Sequence, residues 1–150
     1  MSNMNTFEIG MKAVERMLKK LNASNISTKK EGKKKSIHFS DLDGKSSFSV
    51  VTRSKRAGTW QTSIEYGKPS TEKATENEFW VFVDLGNINN PKFYIVPKWW
   101  ISNNIYETHQ EYLKKYMGTR KYNPDSKHHA VQLNRIKQWE NRWDLLNLKK

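Results

Sequence analysis

The sequence of 150 residues contains no cysteine. This absence excludes disulfide bonds and the thiolate ligands on which many structural zinc sites depend. No apolar run approaches the roughly 20 residues that a membrane-spanning helix needs, so we expect no membrane partner. Residues 1–10 lack the positive and then apolar pattern of a secretion signal. Together these absences predict a protein of the reducing cytoplasm.

Acidic residues are scarce relative to basic ones. The chain has 15 Asp and Glu against 27 Lys and Arg, which gives a formal net charge of +12. Such an excess attracts polyanions, because neutralised phosphates release their condensed counterions. A Lys-rich surface that only keeps the chain in solution is the alternative. We favour a nucleic acid as the partner, DNA over RNA.

Apolar residues at three- and four-residue steps predict three helices, over residues 6–22, 105–117 and 128–146. Asn5 followed three residues later by Glu8 is typical of a capping box at the first helix. A short helical turn is expected at 98–103. The Lys-rich segment 23–35 predicts a solvated loop, which is either a phosphate-tracking arm or an ordinary surface loop.

Alternating apolar and polar residues predict strands at 36–40 and 46–53, and two further strands are expected at 78–85 and 92–96. The first two flank an Asp-Gly turn at 41–44, which is a strong hairpin signal. The apolar run within 78–85 indicates a central strand buried on both faces. Residues 60–66 predict a short strand or an irregular return. The expected fold is α/β (α+β): one domain over residues 1–150, with a mixed central sheet of four to five strands between N-terminal and C-terminal helices.

Six short motifs follow one another along the chain. They are VVTR at 50–53, WQ at 60–61, WVFVDL at 80–85, FYIVP at 93–97, PDSKHH at 124–129 and WENRWDLL at 139–146. In this order they resemble the PD-(D/E)xK nuclease-like superfamily and, more closely, a group of small uncharacterised bacterial proteins of that type. The resemblance implies a restriction-endonuclease-like fold and Mg²⁺-dependent hydrolysis of phosphodiester bonds.

Superfamily chemistry uses an Asp and a Glu on adjacent strands to hold Mg²⁺, and a Lys that helps to activate water. Carried over, these positions fall near His38, at Ser49 and at Val51. Because Val51 occupies the Lys position, we expect hydrolysis to be weak or lost. The residues left as catalytic candidates are Glu15, Asp41, Asp43, Lys55 and Gln61, with Glu15, Asp41 and Asp43 as the candidate Mg²⁺ ligands.

Basic residues beside Trp60 form the best candidate surface for nucleic acid. Basic side chains bind phosphates without reading sequence, and an exposed aromatic ring adds a stacking platform. An ordinary basic turn with a core Trp is the alternative. The predicted nucleic-acid-binding residues are Lys33, Lys34, Lys35, Arg53, Lys55, Arg56 and Trp60.

Two functions therefore stand at the level of sequence. The first is a nucleic-acid-binding, nuclease-like domain with weak or lost hydrolysis. The second is a non-enzymatic interaction or accessory protein, from a defence or mobile-element system, that uses the same basic aromatic surface to bind a protein partner. Steep loss of binding with rising salt would favour the first.

Overall fold

The computed structural model describes residues 5–32, 34–116 and 127–148 of the chain. Lys33, one of the predicted nucleic-acid-binding residues, lies outside the described residues. The elements are α1 (Thr6–Lys20), β1 (Ser24–Glu31), β2 (Lys34–Ser40), β3 (Ser47–Lys55), β4 (Trp60–Ser63), β5 (Glu78–Asp84), β6 (Lys92–Pro97), α2 (Lys98–Tyr116), β7 (His128–Val131) and α3 (Leu133–Ile136). Short 3₁₀ turns lie at Ile64–Tyr66, Glu72–Thr75, Lys137–Trp139 and Trp143–Leu146.

A mixed sheet of five strands, in the order β1-β2-β3-β5-β6, organises this α+β fold. Its neighbouring strands are antiparallel except for β3 and β5, which are parallel. Strands β4 and β7 pair separately as a two-stranded ribbon. The predicted hairpins β2–β3 and β5–β6 are both confirmed. The mixed sheet flanked by N-terminal and C-terminal helices is confirmed as well.

Helix α1 covers one face of the sheet. It begins as the sequence predicts, because the Asn5 side chain accepts a hydrogen bond of 2.8 Å from the Glu8 N–H. Its apolar stripe includes Val14 and Leu18, both fully buried. That stripe belongs to one core with side chains from the central strands, among them Ile37, Phe39, Phe48, Val50, Val81 and Ile95. Alternation along the strands directs these side chains to the face that α1 covers.

The second face of the sheet is covered over β5 and β6. There Trp80, Phe82, Tyr94 and Val96 pack with residues of β4, α2, β7 and α3, including Trp60, Ile101, Ile105, Val131 and Ile136. Strand β5 is therefore buried on both faces, as its apolar run predicts. Among the helices that the structure describes, none is both long and apolar enough to cross a membrane.

Three sequence predictions need correction. The loop expected at 23–35 contains β1 and the beginning of β2. The sequence does not indicate β1, because a strand exposed on both faces shows no alternation of apolar and polar residues. The helix expected at 128–146 is β7, α3 and two 3₁₀ turns, and Asn141 and Asn147 adopt the left-handed conformation, which a helix does not continue through. Residues 98–103 and 105–117 were expected as separate pieces, whereas α2 is continuous over Lys98–Tyr116.

Candidate functional site

A cleft of about 640 Å³ opens on the second face of the sheet, where β2 and β3 lie beyond the covered part. We refer to it as the β2–β3 cleft. His38, Ser49, Val51 and Arg53 line its floor. His38 is directly opposite Ser49 in the β2–β3 register, and Val51 and Arg53 follow at alternate positions of β3. The three positions that the nuclease resemblance singles out, at residues 38, 49 and 51, thus lie together in one concave site.

Arg53 is the dominant charge on the floor of the cleft. Its guanidinium carbon lies 4.7 Å from the centre of the Trp80 ring and 5.5 Å from that of Tyr66. Its Nη1 donates a hydrogen bond of 3.1 Å to the Thr52 carbonyl oxygen. Burial lowers the pKa of Arg53, and contact with Tyr66 partly opposes this, yet an arginine side chain keeps its proton in proteins.

No carboxylate within the described part of the chain forms an ion pair with Arg53. A guanidinium carries five N–H donors in a planar fork. Among the described residues, only one oxygen other than the Tyr66 hydroxyl accepts from Arg53. Arg53 is therefore a partly desolvated cation with donors left over. Such a group favours an anion at the floor of the cleft, because electrostatic attraction strengthens where water is reduced.

Other charges around the cleft are mixed but positive on balance. Its lining has four cationic side chains and two carboxylates, namely Lys34, Lys35, Arg53 and Lys98 against Glu31 and Glu78. Lys98 is paired with Glu78, with 3.1 Å between Nζ and Oε1. Lys34 lies with its Nζ 5.0 Å from the centre of the Tyr66 ring. The cations of the lining that form no ion pair within the described residues are thus Lys34, Lys35 and Arg53, on the side formed by β2 and β3.

His38 adds a neutral polar group to this floor. Its Nε2 lies 2.9 Å from the Ser36 hydroxyl. Burial lowers the pKa of His38 first, Lys29 lowers it further, and Glu31 opposes them. The imidazole is therefore uncharged at neutral pH, where it can donate or accept one hydrogen bond but adds no charge.

The predicted Mg²⁺ ligands are not brought together. Glu15 lies on α1, against the opposite face of the sheet, and Asp43 is exposed in the β2–β3 turn. Across residues 5–32, 34–116 and 127–148, no group of three or more His, Asp or Glu side chains is arranged to hold a metal ion. His38, Ser49 and Val51 contribute no carboxylate, so these three positions of the cleft floor lack the carboxylate ligands that Mg²⁺ prefers.

Asp41 is held by three hydrogen bonds in the β2–β3 turn. Its side chain is 2% exposed, and Oδ1 accepts hydrogen bonds from the N–H groups of Lys45 (3.1 Å) and Ser46 (3.3 Å). Oδ2 accepts a hydrogen bond of 2.8 Å from the Asn147 side chain. The Asn147 bond, followed by the backbone donors, lowers the pKa of Asp41 even though burial opposes the shift. Asp41 thus joins the β2–β3 turn to the C-terminal segment.

Trp60 is a core residue, so the expectation that it offers an exposed stacking ring is corrected. Its side chain is 0% exposed, and its indole N–H donates a hydrogen bond of 3.0 Å to the Val83 carbonyl oxygen. Lys55, a predicted catalytic and binding residue, is held beside it. The Lys55 Nζ lies 4.6 Å from the centre of the Trp60 ring and 3.6 Å from the Asp84 carboxylate.

The remaining predicted residues lie outside the cleft or at its margin. Gln61 is exposed and donates to the Thr59 hydroxyl. Arg56 is exposed as well, and its Nε donates a hydrogen bond of 2.9 Å to the Thr6 hydroxyl. Of the predicted nucleic-acid-binding residues within the described ranges, Lys34, Lys35 and Arg53 line the cleft.

Sequence reasoning did not include Tyr66, Trp80 and Lys98 in the site. Trp80 is the parallel partner of Val51 in the β3–β5 pair, and Tyr66 packs edge-on against Trp80 with ring centres 5.1 Å apart. No local pattern marks these residues, because the proximity of Trp80 to Arg53 depends on the parallel pairing of strands that are distant in sequence, and Tyr66 and Lys98 join the cleft through tertiary packing. The proximity of Trp80 to Arg53 could have been predicted only if the VVTR and WVFVDL motifs had been taken as neighbouring strands.

No protein-family model matches this chain, and neither a curated protein nor a solved structure matches it. The nuclease resemblance consequently rests on the sequence motifs. A function has to be argued from the side chains of the cleft and not from fold alone.

Proposed function

We propose that this chain is a nucleic-acid-binding, nuclease-like domain that holds a backbone phosphate in the β2–β3 cleft and hydrolyses it weakly or not at all. Arg53 is the observation that carries the proposal. Its guanidinium is charged, partly desolvated and unmatched by a carboxylate in the described chain. The planar fork of arginine matches two phosphate oxygens at once, which makes it a common phosphate ligand.

The surroundings of Arg53 support a preorganised site. Trp80 and Tyr66 contact the guanidinium, so little side-chain freedom remains to be lost when an anion binds. Lys34 lies at the same side of the cleft and adds a second cation within reach of a neighbouring phosphate. The net charge of +12 over the whole chain favours a polyanion over a small acidic metabolite.

Weak or lost hydrolysis follows from the residues at the floor. The nuclease chemistry implied by the resemblance needs two carboxylates for Mg²⁺ and a lysine beside them. His38, Ser49 and Val51 occupy the corresponding strand positions and supply none of these groups. A phosphate held by Arg53 would thus lack both the metal and an activated water. We therefore expect binding without efficient cleavage.

One experiment separates binding from cleavage. Fluorescently labelled duplex DNA, single-stranded DNA and RNA are titrated with the protein at several salt concentrations, with Mg²⁺, Mn²⁺ or EDTA, and the same samples are run on denaturing gels. We expect binding whose affinity falls steeply with salt, by a slope of about 0.9 per phosphate contacted in B-form DNA, and intact strands on the gels.

Two other outcomes would contradict the proposal in different ways. Metal-dependent cutting that disappears in Glu15→Ala would show that an active site has formed around residues outside the cleft floor, and the claim of weak or lost hydrolysis would be wrong. Neither cutting nor binding at low salt would exclude nucleic acid as the partner. The accessory-protein alternative would then be pursued with a search for a protein partner.

A further inference from the structure

The β1–β2 hairpin extends beyond the covered body of the sheet. Strand β1 is exposed at every position except Ile26, which is half-buried. The last pair with a buried member is Thr28 opposite Ile37, and three more pairs lie beyond it towards the turn. At about 3.4 Å per residue these three pairs extend roughly 10 Å past the core. The projecting part is therefore a two-stranded ribbon, and the β1 side chains on both of its faces are exposed to solvent.

Lysines occur on both faces of this ribbon. Lys30 is directly opposite Lys35, on the face shared with Ile37. Lys29 and Lys34 are on the other face, where Lys29 is opposite Ser36 and Lys34 is opposite Glu31. A lysine on an edge strand is often sufficiently explained by one role, which is to prevent pairing with another sheet. In the ribbon both strands have an open edge, because the β2–β3 pairing begins at Ile37, so the indication of a ligand comes from the positions of the lysines relative to one another.

The Lys30–Lys35 pair is unfavourable in the protein by itself. Like charges directly opposite each other destabilise a pair of strands, whereas opposite charges stabilise it. Lys34 is opposite Glu31, which is a favourable pair of opposite charges, but Lys30 is opposite another lysine. A polyanion lying against this face would relieve the repulsion. The ribbon thus shows the charge pattern of a surface that is completed by a ligand.

We infer that the β1–β2 hairpin enters the major groove of B-form duplex DNA, with lysines on its two faces reaching the phosphates on either side of the groove. This inference rests on the proposed function and adds the form of nucleic acid to it. The major groove of B-form DNA is about 12 Å wide and 8.5 Å deep, and it admits a two-stranded ribbon. A ribbon whose strands are about 4.8 Å apart fits within that width with space left for its side chains, and a projection of roughly 10 Å is comparable to that depth.

The same geometry selects against duplex RNA. The major groove of A-form RNA is too deep and narrow for protein side chains to read. A single strand has no groove for the ribbon to occupy. The hairpin and the β2–β3 cleft also form one continuous surface, because Glu31 and Lys34 line the cleft as well as belonging to the hairpin. One DNA duplex can therefore contact the hairpin with its groove and Arg53 with a flanking phosphate.

The test compares two double variants that remove the same charge. Lys29→Ala/Lys30→Ala changes exposed positions of the hairpin, and Lys92→Ala/Lys137→Ala changes exposed positions at the start of β6 and in a 3₁₀ turn. Each is titrated against a 20-bp DNA duplex and an RNA duplex of the same sequence. We expect wild type to prefer DNA. The hairpin variant should lose about tenfold in DNA affinity, with a salt slope lower by about 2, while the control stays near wild type.

Dimethyl sulfate footprinting supplies an independent readout of the groove. The reagent methylates guanine N7 in the major groove and adenine N3 in the minor groove, so it distinguishes the two. We expect saturating wild-type protein to protect guanine N7, and the hairpin variant to restore methylation there. All four substitutions change exposed lysines, and thermal melting of both variants checks that folding is unchanged.

The outcomes separate this inference from the proposed function. If wild type binds DNA and the two double variants behave alike, the hairpin inference is wrong while phosphate binding in the cleft stands. Equal affinity for DNA and RNA duplexes, or protection of adenine N3 in place of guanine N7, also overturns it. If wild type binds no nucleic acid, the proposed function and the inference fall together.

Discussion

The second face of the sheet consists of two regions with opposite character. Over β5 and β6, aromatic and aliphatic side chains such as Trp60 and Phe82 are fully buried beneath α2 and the β4–β7 ribbon. Over β2 and β3, the same face presents half-buried His38 and Arg53 to the β2–β3 cleft. The comparison teaches that one sheet face provides both stability and a candidate binding site. Substitutions in the covered region should change folding, and substitutions in the open region should change binding.

Truncation of Trp60 should have the largest effect and would test the covered region. Trp60→Ala removes a fully buried indole and its hydrogen bond to Val83, so we expect a loss of about 3–5 kcal/mol in the free energy of unfolding. Urea denaturation measures it. Trp60→Phe, which keeps a ring but not the N–H, should lose less. Unchanged stability together with lost nucleic-acid affinity would contradict the core role of Trp60 and would indicate that it belongs to the binding surface.

Acidification should weaken the covered region through His129 on β7. Burial, then Arg135 and His109, lower the pKa of His129 from 6.5 to about 4. Between these two values the unfolded chain binds a proton that the folded chain does not, so stability falls as the pH drops from 6.5 to 4. The loss amounts to about 3 kcal/mol for this shift.

Unfolding in urea at several pH values across this window measures the effect of His129. In His129→Leu this part of the loss should disappear, whereas His128→Leu, on the exposed side of the same strand, should retain it. Within the described chain the His129 Nε2 has no hydrogen-bond partner, so replacement by leucine removes no hydrogen bond of that atom. A pH profile of His129→Leu that matches wild type would contradict the assignment.

Substitution of Gly10 extends the comparison to the face beneath α1, where packing is closest. A Cβ at Gly10 would meet the Ser54 Oγ and would lie 2.8 Å from the Ser54 Cβ. Gly10→Ala should therefore cost about 1–3 kcal/mol through overpacking. The double variant Gly10→Ala/Ser54→Gly should lose less free energy of unfolding than the sum of the losses of the two single variants. A double-mutant cycle measures this difference. Additive losses would mean that α1 shifts away without contacting Ser54.

A designed metal site would sharpen the account of the open region. In the variant His38→Asp/Ser49→Glu/Val51→Lys, two carboxylates lie opposite each other across the β2–β3 pair, and a lysine lies beside them. We expect Mn²⁺ to stabilise it by about 1.4 kcal/mol at tenfold excess over the dissociation constant. Thermal melting measures the shift, and Val51→Lys alone should show none. Equal stabilisation of wild type by Mn²⁺ would reveal carboxylate ligands elsewhere in the chain.

The central part of the fold could be predicted because its side chains either alternate, as on β2 and β3, or form an unbroken apolar run, as on β5 and β6. Strands β2, β3, β5 and β6 each have at least one buried face, and that burial is visible as a regular pattern. Strand β1 could not be recognised, since its exposed Ser, Thr and Lys residues carry no such pattern. At 128–146, Ile136, Trp139 and Trp143 recur at steps of three and four although most of the segment is not α-helical. Helical spacing is therefore insufficient evidence where tertiary packing determines the backbone.

The candidate site was predictable only in part, for a related reason. Residues 38, 49 and 51 could be expected together because a hairpin register relates them locally. Trp80 reaches Arg53, and Lys98 joins the lining of the cleft, only through pairing of strands distant in sequence, which no local pattern specifies. Asp41 is a candidate Mg²⁺ ligand in the sequence because the nuclease resemblance implies a metal-binding Asp in or just before the first hairpin. Its partner Asn147 is more than a hundred residues further along the chain.

The most direct measurement compares Arg53→Gln with the matched variant Arg56→Gln. Both remove one positive charge near the end of β3, but Arg53 lies in the β2–β3 cleft and Arg56 is exposed beside Thr6. Dissociation constants for a labelled DNA duplex are measured at one salt concentration. We predict that Arg53→Gln weakens binding tenfold or more, about 1.4 kcal/mol, while Arg56→Gln changes it less than about threefold. Equal effects of the two variants, or wild-type affinity in Arg53→Gln, would contradict a phosphate site in the cleft.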